Sequence, residues 1–220
     1  MIDLFIKKAR AFPWRRPQIS LTTLLHLYVR WFSCPFERLL PYIPTRGAVY
    51  DLGCGHGILL KLLLSLTPGE ACFIGVDIDA DKIAIARTLN TSGRLRYEVK
   101  DIAIDPVLNG AKAVILNDVL HLISFADQRL LLQKCHEQLS PDGILLIKEI
   151  ERSSSWKFRW AYFQEVLVNH VLQLTRGAGL YYSTRDGCVE ALRKTGFEVE
   201  VVSAHRGYPY SHIIYHCHKT

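Results

Sequence analysis

The chain has 220 residues, 49% of them apolar, and a formal net charge of +6; that is enough to bury a sizeable core as one domain. No apolar run approaches the roughly 20 residues of a membrane-spanning helix, and Met1 to Ile6 is too short for a signal-peptide core before Lys7 and Lys8 intervene, so a cytoplasmic protein is expected. The six cysteines (34, 54, 72, 135, 188 and 217) form no C-x-x-C pair, which argues for reduced, mostly buried thiols rather than a disulfide framework.

Residues 1–46 carry the whole net charge: eight Lys or Arg (7, 8, 10, 15, 16, 30, 38 and 46) stand against Asp3 and Glu37, while the remaining 19 basic and 19 acidic residues cancel. Phe5, Phe12, Trp14, Tyr28, Trp31, Phe32 and Phe36 are interleaved with these cations. Pro13 and Pro17 interrupt the first part, after which Leu21 to Phe32 is expected to form a helix ending before Pro35. Three readings of the segment stay open. It is a helical cap over a cleft, with its charges merely solvated; or it makes the protein peripheral to an anionic membrane, each cation contributing about 1 kcal/mol; or its field attracts an acidic carrier protein or a nucleic acid. Nucleic acid ranks lowest, because the basic run is short and no additional folded module accompanies it.

From Val49 to Leu60 the sequence VYDLGCGHGILL reads as a buried strand ending at Asp51, a glycine turn, and an apolar helix over Ile58 to Leu66. Gly53, Gly55 and Gly57 allow positive φ and let a ligand approach the main chain where a Cβ would collide. The dinucleotide fingerprint G-x-G-x-x-G is not met, since the third glycine comes one residue early and Ile58 stands in its place. A carboxylate at Asp51 would also repel a pyrophosphate, whereas it suits a phosphate-free ligand carrying an ammonium group.

Ala71 to Asp77 is a second buried strand whose terminal acid lies 26 residues beyond Asp51, placed to accept hydrogen bonds from ribose hydroxyls. Ile78 follows, and Asp79 is the expected N-cap of the next helix. Arg94 to Lys100 is a third strand delivering Asp101 and Ile102, while Asp105 before Pro106 fits a turn. Ala113 to Asp118 is a fourth, and ligands in an open α/β sheet bind at the carboxyl ends of strands, so Asn117, Asp118 and His121 are expected to face the cleft. His121 has the pKa range of a general base, though a packed histidine at a helix start is the competing reading.

Gln128 to Leu139 has helical spacing, and Ser140 to Gly143 is expected to turn into a fifth strand, Ile144 to Ile150. Lys148 and Glu149 end that strand; Glu149 is expected to pair with a neighbouring cation in preference to orienting a nucleophile. Trp156, Trp160, Phe163, Leu167, Val171 and Leu174 then step at helical intervals and are expected at the top of the cleft as core, acceptor wall or both, followed by Tyr181 and Tyr182. Thr184 to Thr195 is a helix capped by Ser183 or Thr184 and closed by Gly196. Residues 196–202 and 211–219 supply the last two strands, whose His212, His216 and His218 share one face and read as exposed polar positions.

Four stretches in register, DLGCGHG, ACFIGVD, the strand leading to Asp101 and Ile102, and NDVLH, resemble the motifs of the class I S-adenosylmethionine (SAM)-dependent methyltransferases. The resemblance covers about residues 47–151 well and the terminal hairpin moderately. It implies a doubly wound Rossmann-like α/β fold: a seven-stranded, mostly parallel sheet with an antiparallel last strand, helices on both faces, a cap over residues 1–46 and a catalytic unit over 47–220. It implies SAM as cofactor and S-adenosylhomocysteine as product. The cofactor-binding positions would be Asp51, Gly53, Cys54, Gly55, Gly57, Asp77, Ile78, Asp101, Ile102, Asn117 and Asp118. His121 is the candidate catalytic residue, and no metal is required. NDVLH is not the NPPY-type motif tied to methylation of amino groups on bases or glutamine. The acceptor expected from the aromatic insertion is small or lipid-like and hydrophobic. A non-catalytic SAM-binding module, an RNA methyltransferase and, last, an NAD-dependent oxidoreductase remain as alternatives, and no feature specifies an oligomeric state.

Overall fold

Val49 to Leu52, apolar but for Asp51, and Val114 to Leu116 are fully buried runs, the pattern of parallel strands covered on both faces. They belong to β1 (Ala48–Leu52) and β4 (Ala111–Asn117), which pair in parallel at the centre of a sheet completed by β2 (Cys72–Asp77), β3 (Leu95–Val99), β5 (Leu139–Ile150), β6 (Phe197–Ser203) and β7 (His212–Lys219). In the computed structural model, which describes residues 19–90, 92–104, 108, 110–153, 155–170 and 179–220, the strand order is β3-β2-β1-β4-β5-β7-β6. The expectations for residues 1–18, Asp105, Val171, Leu174 and the Leu167 side chain fall outside the described residues. β7 runs antiparallel to both β5 and β6, as the tail of the sequence predicts.

The helices are α1 (Leu21–Ser33), α2 (Ile58–Leu66), α3 (Ala80–Thr88), α4 (Phe125–Gln138), α5 (Trp156–His170) and α6 (Arg185–Lys194). Their starts follow from local chemistry: Ser20, Asp79, Ser124 and Thr184 each accept a backbone N–H of the first turn, satisfying donors a helix N-terminus otherwise orphans. One core cluster joins Leu27, Trp31, Phe36 and Leu39 to Val49, Leu59 and Phe73. Residues from Leu27 onward therefore share the sheet's own core, and deleting residues 1–46 would strip it of the fully buried Trp31 and Phe36. The other cluster lies under α4 and α6, around Leu131, Cys135, Leu192 and Phe197.

Ser140 to Gly143 does not form the separate turn expected. The chain is extended from Leu139 to Ile150, and the register against β4 shifts between Ala111, opposite Leu139, and Ala113, opposite Ile144, so these residues bulge within one long strand. The strand order reverses between β1 and β4, because the chain walks outward through β2 and β3 and then returns to the far side of β1. That switch point leaves a crevice at the carboxyl ends of the strands.

Candidate active site

The crevice holds a cavity of about 460 Å³, within the roughly 300–1,000 Å³ of small-ligand sites. Its floor is the glycine turn after β1. Gly53, Gly55 and Gly57 have φ of 79°, 54° and 70°. The Gly53 and Cys54 N–H groups both donate to the Val76 carbonyl, at 2.8 and 3.0 Å, so the turn is stapled to β2. A Cβ on Gly53 would run into Val119 and one on Gly57 into the Tyr97 ring, whereas at Gly55 it would meet nothing within 4 Å. Two glycines thus satisfy packing, and the middle one leaves an open cradle.

Asp77 stands beside that cradle. It accepts the Gly55 N–H at 2.7 Å on one oxygen and the Asp79 N–H at 2.9 Å on the other. A carboxylate offers about four lone-pair sites, so acceptor capacity is left on the side lining the cavity. Ile78, Asp101 and Ile102 line it as well, and the Asp101 carboxylate also accepts the Ala103 N–H at 2.9 Å. Cys54 reaches the cavity too, its thiol pushed up by burial. His56 is pushed down to about 4 by burial and then by Lys82 and His26, and stands neutral at physiological pH.

Three expected contacts are corrected. Gly57 packs against the Tyr97 ring and does not line the cavity. Asp51 does not line the cavity; it is sealed in the strand below the glycine turn at 2% exposure, and Oδ1 has no hydrogen-bond partner among the described residues. Burial pushes its carboxyl from 3.8 up to about 7, partly offset by Arg30 and reinforced by Asp77. Asn117 likewise does not line the cavity: its side chain is buried, its Oδ1 has no partner among the described residues, and its carbonyl accepts from Arg30 at 3.2 Å. Both residues sit in fully buried strands, where alternation of side chains and not proximity in sequence decides which reach the cleft.

Asp118 faces the cavity with φ of 55°, strained for a residue other than glycine. The strain is held by an ion cluster: Lys148 Nζ lies 2.8 and 2.6 Å from the two carboxylate oxygens, Arg30 at 3.4 Å, and the Cys34 thiol donates at 3.5 Å. Burial pushes the Asp118 carboxyl up, but Lys148 and then Arg30 outweigh it and hold it well below the usual carboxylate range. His212, expected to be exposed, is buried at the same place. It bonds the Ser33 carbonyl through Nε2 at 2.8 Å and is pushed down to about 3 by burial and by Lys148. Sequence reading missed Arg30, Cys34 and His212 here. The available signal was Lys148 itself, a cation inside the apolar strand ILLIKEI, which demands a buried acid.

Glu149 also departs from expectation. The nearby cation goes to Asp118, and Glu149 instead holds His121 Nδ1 at 2.7 Å while its other oxygen accepts the Leu120 N–H at 2.8 Å. The His121 ring stacks on Tyr182 at 4.7 Å with a 5° tilt, and its carbonyl accepts the Tyr181 N–H at 2.7 Å. His121 and Tyr181 line the cavity; Tyr182 forms the wall behind. From α5 it is Ala161 that lines the cavity, and Phe158 packs edge-on against Tyr182 at 5.3 Å. The stripe of Trp156, Trp160 and Phe163 faces solvent, neither the core nor the acceptor wall expected of it.

A family model described as a methyltransferase domain matches residues 30–202. Among curated proteins, the carboxy-S-adenosyl-L-methionine synthase of Aliivibrio salmonicida is 31% identical over 116 residues, 49% of this chain and 46% of that protein. The chain thus spans about half the length of such relatives. Among solved structures, the SAM-dependent methyltransferase SibL superposes with a TM-score of 0.72 at 18% identity, over 99% of this chain and 69% of that one. DhpI, solved with S-adenosylhomocysteine, gives 0.66 at 17% identity over 98% and 94%. At these identities the structures speak to the fold.

Proposed function

The chain belongs to the methyltransferase-domain family of SAM-dependent enzymes, and from that membership we propose that the cavity between α1 and the strand ends binds SAM and delivers its methyl group to a small or lipid-like hydrophobic acceptor. The observation that carries the reading is the open cradle at Gly55 set beside the Asp77 carboxylate. SAM supplies a methyl group already activated on a sulfonium. The chain's own residues bind and orient. Asp77 accepts the ribose hydroxyls, Asp101 and Ile102 border the adenine side, and the main chain of Gly53, Cys54 and Gly55 runs against the donor. Asp118 is committed to Lys148 and serves as scaffold at the cavity floor. α1 and Tyr181 shield the site from water; holding donor and acceptor in line contributes up to about 7–11 kcal/mol. With Glu149 on Nδ1, the proton shed by the acceptor falls to His121 Nε2.

Calorimetric titration with SAM, S-adenosylhomocysteine and NAD tests the binding half, and release of S-adenosylhomocysteine with candidate acceptors tests turnover; binding of NAD and not SAM would reverse the assignment. His121→Ala is expected to lower kcat about 10²-fold, at the low end of general-base effects because the leaving group needs no activation, with the SAM Kd unchanged. Glu149→Gln should shift the pH profile of kcat with a smaller loss, and an unshifted profile would leave His121 a packing residue.

Asp51 gives a pH prediction. A cationic ligand above it favours the ionised carboxylate, so SAM binding releases a proton below the carboxyl's value of about 7. Affinity should fall by up to about tenfold per pH unit below that point. Asp51→Asn should bind more weakly at pH 8 and show a flat profile; a slope that survives the substitution would assign the proton elsewhere. The curated relatives suggest a second reading, in which SAM itself is the molecule modified. Product mass separates the two, since S-adenosylhomocysteine is formed only in methyl transfer.

A further inference from the structure

We propose that the outward faces of α1 and α5 seat the protein on an anionic bilayer with the mouth of the cavity turned to the lipid headgroups. The proposal rests on the methyltransferase reading only for what the seating achieves, access to an amphiphilic acceptor; lipid binding is read without methyl transfer.

α1 carries an apolar arc wider than the core covers. Leu24 packs on the core and Leu27 and Trp31 are buried in it, yet Leu21, Leu25, Tyr28 and Val29 stand in solvent, Leu21 at 81% exposure. Their spacing of i, i+4, i+7 and i+8 makes a continuous stripe beside the packed face, while His26, Arg30 and Ser33 on the polar side line the cavity, so an apolar surface is left without a covering element among the described residues. α5 repeats the pattern. Trp156, Trp160 and Phe163 lie at i, i+4 and i+7, all exposed, Trp156 at 70%. Both helices border one cavity, α1 through Val29 and Arg30 and α5 through Ala161. Two such stripes at one mouth go beyond the single exposed apolar residues any surface carries.

Charge selects the occupant. Between Leu4 and Ile19 the sequence has five Lys or Arg and no acid, and the first turn of α5 adds Lys157 and Arg159. Cations this near in sequence to apolar stripes match an anionic lipid surface, at about 1 kcal/mol each, and Trp and Tyr prefer the headgroup level. No helix among the described residues is long and apolar enough to cross a membrane, so the contact is one of lying on the surface.

The test is co-sedimentation of the full chain with vesicles of phosphatidylcholine, with or without phosphatidylglycerol, at low and high salt. Binding to the anionic vesicles is expected, weakened by salt and weakened about tenfold or more in Trp156→Ser/Trp160→Ser. SAM titration of the same variant shows that it is folded. Absence of binding to anionic vesicles, equal binding by the variant, or lipid-free self-association that the variant abolishes would each overturn the proposal. Loss of SAM binding in the parent protein with vesicle binding intact would instead strike the methyltransferase reading alone.

Discussion

Asp77→Asn should weaken SAM binding by about 10²- to 10³-fold in a protein that stays folded. Hydrogen bonds to a charged acceptor are worth about 1.5–3 kcal/mol each, so two ribose hydroxyls on one carboxylate contribute about 3–6 kcal/mol, of which the amide forfeits about 3–4, tenfold for every 1.4. An amide presents one oxygen and one NH₂ where the carboxylate presents two acceptors. Either the Gly55 N–H, held at 2.7 Å, or the Asp79 N–H, held at 2.9 Å, then faces a donor, so the glycine turn also loses one tether to β2. Asp79→Asn is the matched comparison two residues away, because asparagine still caps α3. Calorimetry on both variants reads the difference, and parity between them would remove Asp77 from the ribose.

Lys148→Met should cost about 3–5 kcal/mol of stability at neutral pH, the range for removing one partner of a buried pair. Lys148 is 1% exposed and bonds both oxygens of Asp118, so its loss leaves a buried carboxylate with the more distant Arg30 at 3.4 Å. The sign with pH follows from Asp118, whose folded pKa lies below its unfolded value of 3.8. The stability it contributes is full above that unfolded value and is lost as pH falls through the folded one. In the variant the carboxyl protonates at higher pH, so the gap between the two proteins narrows in acid. Lys148→Met/Asp118→Asn should recover most of the loss, since it removes the stranded charge. Denaturant melts of the single and double variants decide; equal losses would mean that packing of the lysine stem, and not charge, sets the effect.

The glycine turn and the acid ending β2 were legible because their chemistry is local. Positive φ at Gly53, Gly55 and Gly57 is a property of three residues, and helix starts at Asp79 and Thr184 depend on one side chain and the next few N–H groups. Glu149 was not legible in the same way. Its partner is 28 positions away on another element, and the choice between His121 and a cation is made by the pairing of β4 with β5. The outward face of α5 was misread for a related reason: helical spacing gives a stripe but does not say which way it turns.

By itself, then, the sequence determined the order of strands and helices, the glycine turn after β1 and the acid beside it, since each is encoded within a few neighbouring residues. Tertiary structure alone decided that Asp51 and Asn117 are sealed away from the cavity, that Lys148, Arg30, Cys34 and His212 converge on Asp118, and that His121 is clamped by Glu149 and Tyr182. These outcomes depend on which side of a buried strand a residue faces and on which distant segment packs against it, and a run that is apolar on both faces carries no periodicity from which either can be read.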